Sequence, residues 1–200
     1  MESGHLHIIT GPMFSGKTSH LINTYKSTDI DKKKTIVINH CIDQRYSHKD
    51  EVISHDGESI PCYKLESLRE IYSKFNSKEL NYKDYKFVFI NESQFFDDLH
   101  LLIIFVEKFK FDVYVYGLDG DFQKKTFNNN ILQYIPYADT VIKLHAKCDC
   151  GANAYFTKRL DDNKQQISVG VENYKAVCRN CYSNNKQNHV FENKQFYNHS

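Results

Sequence analysis

HLHIITGPMFSGKTSHLINTYK, residues 5–26, decides the fold. It opens with the apolar, β-branched run His5–Thr10, passes through GPMFSGKT at 11–18, and continues with Leu21, Ile22 and Tyr25 at helical spacing. GPMFSGKT satisfies G-x-x-x-x-G-K-[ST] at the place where a strand should turn into a helix. In such a loop Gly11 and Gly16 let the chain wrap, while successive backbone groups of Pro12, Met13, Phe14 and Ser15 line its inner side. The backbone N–H groups and the helix N-terminus then face phosphate oxygens, Lys17 reaches the terminal phosphoryl group, and Thr18 offers its hydroxyl to Mg²⁺. The implied ligand is a nucleoside triphosphate.

Four more short β-branched or aromatic runs follow, at Thr35–Asn39, Phe87–Asn91, Val113–Gly117 and Thr140–Leu144. Between them, segments of helical period lie at 17–28, 65–75 and 99–109. The runs TIVIN and FVFIN are apolar on both faces, as strands covered on both sides must be. The expected class is therefore α/β, a parallel sheet with helices on both faces.

Composition narrows the function. The chain has 200 residues, 40% hydrophobic and 26% charged, and 26 Lys+Arg against 25 Asp+Glu leave a net charge of +1. That balance advertises neither nucleic acid nor membrane as a partner. The longest apolar run, Leu101 to Val106, is six residues, far short of a membrane span. MESGHLHIIT lacks the basic start and long apolar stretch of a secretion signal, so a reducing cytoplasm is the expected compartment, with thiols free or metal-bound.

A phosphate loop needs a second group to direct the chemistry. FVFINES, residues 87–93, is a hydrophobic strand that ends in an acid, which delivers Glu92 to the C-terminal edge of the sheet, beside the phosphate loop. Many phosphate-loop enzymes carry an Asp just before this point to help hold Mg²⁺. Here the residue is Asn91, which can accept from a metal-bound water but adds no charge, so a raised Mg²⁺ requirement is expected.

After Leu144 the texture changes, and four of the six cysteines fall at Cys148, Cys150, Cys178 and Cys181. Two pairs so spaced read as a structural zinc site that clips a segment too poor in apolar residues to hold itself. The first pair is C-x-C, a tighter bite than C-x-x-C, and His145 stands close by as a substitute ligand. Cys41 and Cys62 read as core thiols. The expected organisation is a nucleotide-binding unit at 1–144, a zinc unit at 145–182 and a polar tail at 183–200.

The motifs together resemble the zinc-containing thymidine kinases of the cytosolic, bacterial and viral type, from His5 to Tyr182. GPMFSGKT carries the resemblance first, followed by DQRY at 43–46 with HDG at 55–57, NESQFF at 91–96 and LDGDFQKKTF at 118–127. TKR at 157–159 and GVENYKAVCRNCY at 170–182 complete it. The resemblance implies a RecA-like α/β domain with a small zinc and lasso domain, transferring the γ-phosphoryl of ATP to the 5′-hydroxyl of thymidine, with deoxyuridine as the neighbouring substrate. It makes Glu92 the general base, assisted by Lys17 and Arg45, with Asn91 beside the ATP and Mg²⁺ site. It maps the nucleoside pocket onto Met13, Asp43, Arg45, Phe95, Leu118, Phe122, Phe127, Thr157 and Tyr174. It assigns backbone recognition of the base to a lasso at Gln166, Ile167, Ser168, Val169 and Gly170, and Val169 departs from the family's usual Gly. It also implies a homotetramer inhibited by thymidine triphosphate. The rival reading is a phosphate-loop ATPase whose zinc module grips nucleic acid or protein, against which the charge balance counts; a weakened kinase relative is the third.

Overall fold

The computed structural model describes residues 3–27, 29–43, 50–128, 130–162, 165–166 and 172–184. Six parallel strands form the central sheet: β1 (His5–Thr10), β2 (Thr35–His40), β5 (Tyr63–Leu65), β6 (Phe87–Asn91), β7 (Asp112–Gly117) and β8 (Thr140–Lys143). Their order is β5-β2-β6-β7-β1-β8. All five expected strands are present. The short edge strand β5 and the antiparallel hairpin of β3 (Glu51–Ile53) and β4 (Ser59–Pro61) are additions.

Both faces of the sheet are covered over strands β2, β6, β7 and β1, where alternation along each strand assigns its side chains, while the edge strand β8 is exposed at every position. Leu6, Ile8, Ile36, Ile38, Val88, Ile90, Val113 and Val115 pack with Leu68, Ile71 and Phe75 of α2 (Leu68–Asn76) and with Leu101 and Leu102 of α3 (Leu101–Ile103). Ile9, Val37, Phe87, Phe89 and Tyr116 meet Leu21 and Ile22 of α1 (Lys17–Lys26), with Val52 and Ile60 of the hairpin. Each face thus removes a continuous apolar layer from water, the dominant favourable term in folding.

Helix boundaries differ from the periodic reading for identifiable reasons. The expected helix from Leu65 begins at Leu68, because Leu65 ends β5 and Ser67 caps α2 in a capping box with Glu70. Asp98 strengthens that start from the loop beyond β6, accepting from Ser67 Oγ at 2.6 Å, Leu68 N at 3.1 Å and Arg69 N at 2.8 Å. The same contacts fasten the loop that follows Glu92. The segment after α3 widens into a π-helical turn at Ile104–Lys108, which seats Phe105 and Phe109 beside Phe111. Among the described residues no helix is long and apolar enough to cross a membrane.

Beyond β8, the pairs β9 (Ala146–Lys147) with β10 (Asn153–Ala154) and β11 (Phe156–Arg159) with β12 (Tyr174–Val177), together with α4 (Arg179–Ser183), enclose a small apolar cluster of their own. Residues 185–200, most of the expected tail, lie outside the described residues.

Candidate active site

The loop after β1 turns into α1 at Gly16, whose φ of 77° is the left-handed conformation that glycine adopts without strain. No side chain caps the helix start and no acid stands in its first turn, so its N–H groups remain directed at the loop's interior. Lys17 Nζ donates to Pro12 O at 2.7 Å and Gly11 O at 3.2 Å. The loop's own carbonyls therefore hold the ammonium where a phosphate oxygen would compete for it.

Glu92 stands at the same edge, just past β6. Its backbone is left-handed, φ 53°, an uncommon and costly conformation for a residue with a Cβ, and its side chain is buried. Gln94 Nε2 donates to Glu92 Oε2 at 2.5 Å, while Gln94 Oε1 accepts from Leu118 N at 3.1 Å. One amide thus spans from the acid to the backbone after β7 and orients the carboxylate.

In the sheet β7 lies between β6 and β1, and it ends at Gly117, where a side chain would stand between the two loops. A Cβ there would lie 2.1 Å from Ser93 Oγ and 3.2 Å from Gln94 Oε1. Gly117→Ala should therefore displace the Ser93–Gln94 turn, cost about 1–3 kcal/mol of stability by overpacking, and lower kcat through the misplaced Glu92. Denaturant unfolding and steady-state rates check both; unchanged values would show that the turn has room to move.

One cavity joins these parts. The phosphate loop lines it from Met13 to Thr18, opposite Glu92 and Phe95, with Asp43, Leu118, Phe122, Phe127, Thr157, Gln166 and Tyr174 completing the expected set. Gly11 and Pro12 of the same loop are buried and do not line the cavity. Ile42, Ile53, His55, Gln94, Gly120 and Asp121 also line the cavity and were not expected there. His55, Gln94 and Asp121 fall inside motifs already visible as HDG, NESQFF and LDGDFQKKTF, so the signal was present; which member of each motif faces the cavity was not. Arg45, Ile167, Ser168, Val169 and Gly170 lie outside the described residues.

Two of the expected residues are held by their side chains. Asn91 is buried behind the wall: its Nδ2 donates to Asn39 Oδ1 at 3.1 Å, and Asn39 Nδ2 donates to Asp43 Oδ2 at 3.1 Å. The pair forms a neutral relay that ends on a carboxylate of the cavity. Gln166, expected to use its backbone, is tied by its side chain, donating to Asp121 Oδ2 at 2.9 Å and Thr126 O at 3.2 Å. Thr157 Oγ accepts from Met13 N at 3.0 Å, so β11 touches the phosphate loop directly.

Cys148, Cys150, Cys178 and Cys181 bring their four sulfurs within 4.8 Å of one another. A tetrahedral zinc with Zn–S of about 2.3 Å places sulfurs about 3.8 Å apart, and Cys150 Sγ and Cys178 Sγ stand at 3.7 Å. The donor set therefore fits zinc despite the short C-x-C bite. Backbone N–H groups of Cys150 and Cys178 hold the Cys148 thiol down, to about 6, whereas the three neighbouring sulfurs push Cys181 up to about 12. Four thiolates this close need a cation to ionise together. His145 is engaged elsewhere, with Nδ1 3.3 Å from Ala146 O and its ring edge-on to Tyr155. Cys41 and Cys62 are half-buried; Cys62 packs against the apolar cluster on the α1 face, and burial raises its thiol to about 12.

The sequence is similar to that of known proteins. The family described as Thymidine kinase matches residues 4–182. Thymidine kinase a of Arabidopsis thaliana is 39% identical over 189 residues, covering 92% of this chain and 76% of that protein. The thymidine kinase of Yaba monkey tumor virus is 37% identical, covering 90% of this chain and 96% of its own length, and that of rabbit fibroma virus 38% identical, covering 91% and 98%. A match that runs unbroken from the first strand to the last cysteine takes in sheet, cavity and sulfur cluster alike, and by it the chain belongs to the thymidine kinase family.

Proposed function

We propose that this chain transfers the γ-phosphoryl group of ATP to the 5′-hydroxyl of thymidine. The observation that carries the reading is a buried, hydrogen-bonded Glu92 carboxylate sharing one cavity with Lys17 and the N-terminus of α1. Phosphoryl transfer asks the protein for little beyond position and field. Glu92 accepts the hydroxyl proton as that oxygen attacks, and Lys17 leaves the carbonyls of Gly11 and Pro12 to meet the charge on the transferring group. Phe95, Leu118, Phe122 and Phe127 offer an apolar, aromatic slot for a flat pyrimidine. Arg45 is assigned here as a second cation, and the backbone groups of 166–170 as the readers of the base's polar edge.

Mg²⁺, when bound, would be held by Thr18 and phosphate oxygens and would offset the negative charge of the triphosphate. Asn91 adds no charge to that site. Asn91→Asp should lower the Mg²⁺ concentration needed for half-maximal rate, yet cost about 1–3 kcal/mol of stability, because Asn39 must then turn its amide to the new carboxylate and abandon Asp43. Rates against Mg²⁺ and a melting curve read the two effects; neither moving would sink this account of position 91.

A homotetramer working in the cytoplasm and inhibited by thymidine triphosphate completes the reading. Edge strand β8 supports association: Val141 and Ile142 point to opposite faces and are 45% and 42% exposed, apolar surface that a second copy would cover. Incubation with ATP, Mg²⁺ and each deoxynucleoside separately tests the substrate. Thymidine should become its monophosphate with release of ADP; steady ATP hydrolysis indifferent to nucleoside would favour the ATPase rival.

A further inference from the structure

We propose that Arg159 is a positioning residue for the nucleoside, a clamp that fixes the two aromatic walls of the pocket and Gln165 beside them. Its side chain is 2% exposed, at the end of β11. The guanidinium carbon lies 4.0 Å from the centre of the Phe122 ring and 4.8 Å from that of Tyr174. The same group donates to the Tyr174 hydroxyl and to the backbone carbonyl of Gln165, with Asp161 Oδ1 3.7 Å from Nε. Phe122 and Tyr174 both line the cavity, and Gln165 precedes the cavity residue Gln166. A single planar cation therefore joins Phe122 of the 118–127 loop, the backbone at Gln165 and Tyr174 of β12, behind the surface a nucleoside would touch.

The placement has a chemical logic. Taking a guanidinium out of water is costly unless its plane and its donors are both used. Here the plane is spent on aromatic rings, and the two terminal nitrogens on a carbonyl and a hydroxyl, with the Asp161 carboxylate 3.7 Å from Nε, a combination that only a flat, multi-donor cation can make. Phe122 is also held from the other end: Tyr182 Oη donates to its carbonyl at 2.7 Å, and Lys124 Nζ sits 3.9 Å from the centre of the Tyr182 ring. Tyr182 directly follows Cys181. The cysteine cluster and the pocket wall are thus parts of one packed unit, with Arg159 its inner fastening.

This inference rests on the thymidine reading, and its test separates the two. Arg159→Lys and Arg159→Met are made in the full chain. Thymidine KM, and thymidine Kd by calorimetry, should rise about tenfold or more in both variants. ATP KM and zinc content should stay as in the parent. Lysine should not rescue, because charge without the plane cannot bridge two rings. Unchanged thymidine affinity, full rescue by lysine, thymidine and ATP constants worsening together with lost zinc, or failure of both variants to fold would each overturn the assignment. If the parent chain does not use thymidine at all, the substrate reading fails instead, and the same variants are measured with the deoxynucleoside that it does phosphorylate.

Discussion

Glu92→Gln should lower kcat by about 10²–10⁴-fold while ATP still binds. Gln is the informative replacement because it keeps the shape of the site. Its amide oxygen can accept from Gln94 Nε2 as the Glu92 carboxylate does, and the left-handed backbone at 92 meets the same steric demand. What disappears is the negative charge and the ability to take a proton from an attacking hydroxyl. The loss should therefore appear in kcat, with titration of a fluorescent ATP analogue unchanged. A loss below about tenfold would show that general-base chemistry, which ordinarily contributes at least a hundredfold, is not carried by this residue.

Cys178→Ser should drop zinc from about one ion per chain to near zero and lower the melting temperature by about 5 °C or more. Cys178 is the N-cap of α4, its sulfur accepting from Cys181 N at 3.4 Å, and serine is itself a favoured cap. Local helix propensity is thus spared and the effect isolates the metal. The apolar cluster around the sulfurs is built largely from alanines, namely Ala146, Ala154 and Ala176, beside Val177 and Tyr182. So little buried surface cannot repay the ordering of the segment without a clip. Elemental analysis and a melting curve decide it; full stability in a zinc-free protein would show that the cluster holds by itself.

How far the sequence foretold the structure depends on the kind of force involved. Strands β2 and β6 were legible because burial on both faces demands unbroken apolar runs, and Ile36–Ile38 and Phe87–Ile90 have nowhere else to go, whereas the exposed edge strand β8 was legible only from its β-branched residues. The boundary at Leu68 was harder. Leu65 continues the helical period of Leu68 and Ile71, yet its pairing in β5 and the cap at Ser67 outweigh periodicity. The three-residue strands β3, β4 and β5 are too short to leave a pattern at all. In the site, Lys17 and Glu92 followed from strand-end logic. The left-handed backbone of Glu92 and the bridging of Gln94 did not, since both depend on how the end of β7 meets the loop of β6. Asn91 shows the same limit from the other side: its hydrogen bond to Asn39, fifty-two positions earlier in the chain, leaves no mark in the sequence. Phe122 and Phe127 line the cavity, but nothing in their spacing shows that Arg159 packs on the Phe122 ring.

A structure of the chain with thymidine and a non-transferable ATP analogue bound together measures the central geometry. The 5′-oxygen of the sugar should lie about 2.6–3.2 Å from a Glu92 carboxylate oxygen and about 3–3.5 Å from the γ-phosphorus, with Lys17 moved from the carbonyls of Gly11 and Pro12 onto phosphate oxygens. A deoxyribose bound elsewhere, or a Glu92 carboxylate separated from that oxygen by more than one water, would contradict it.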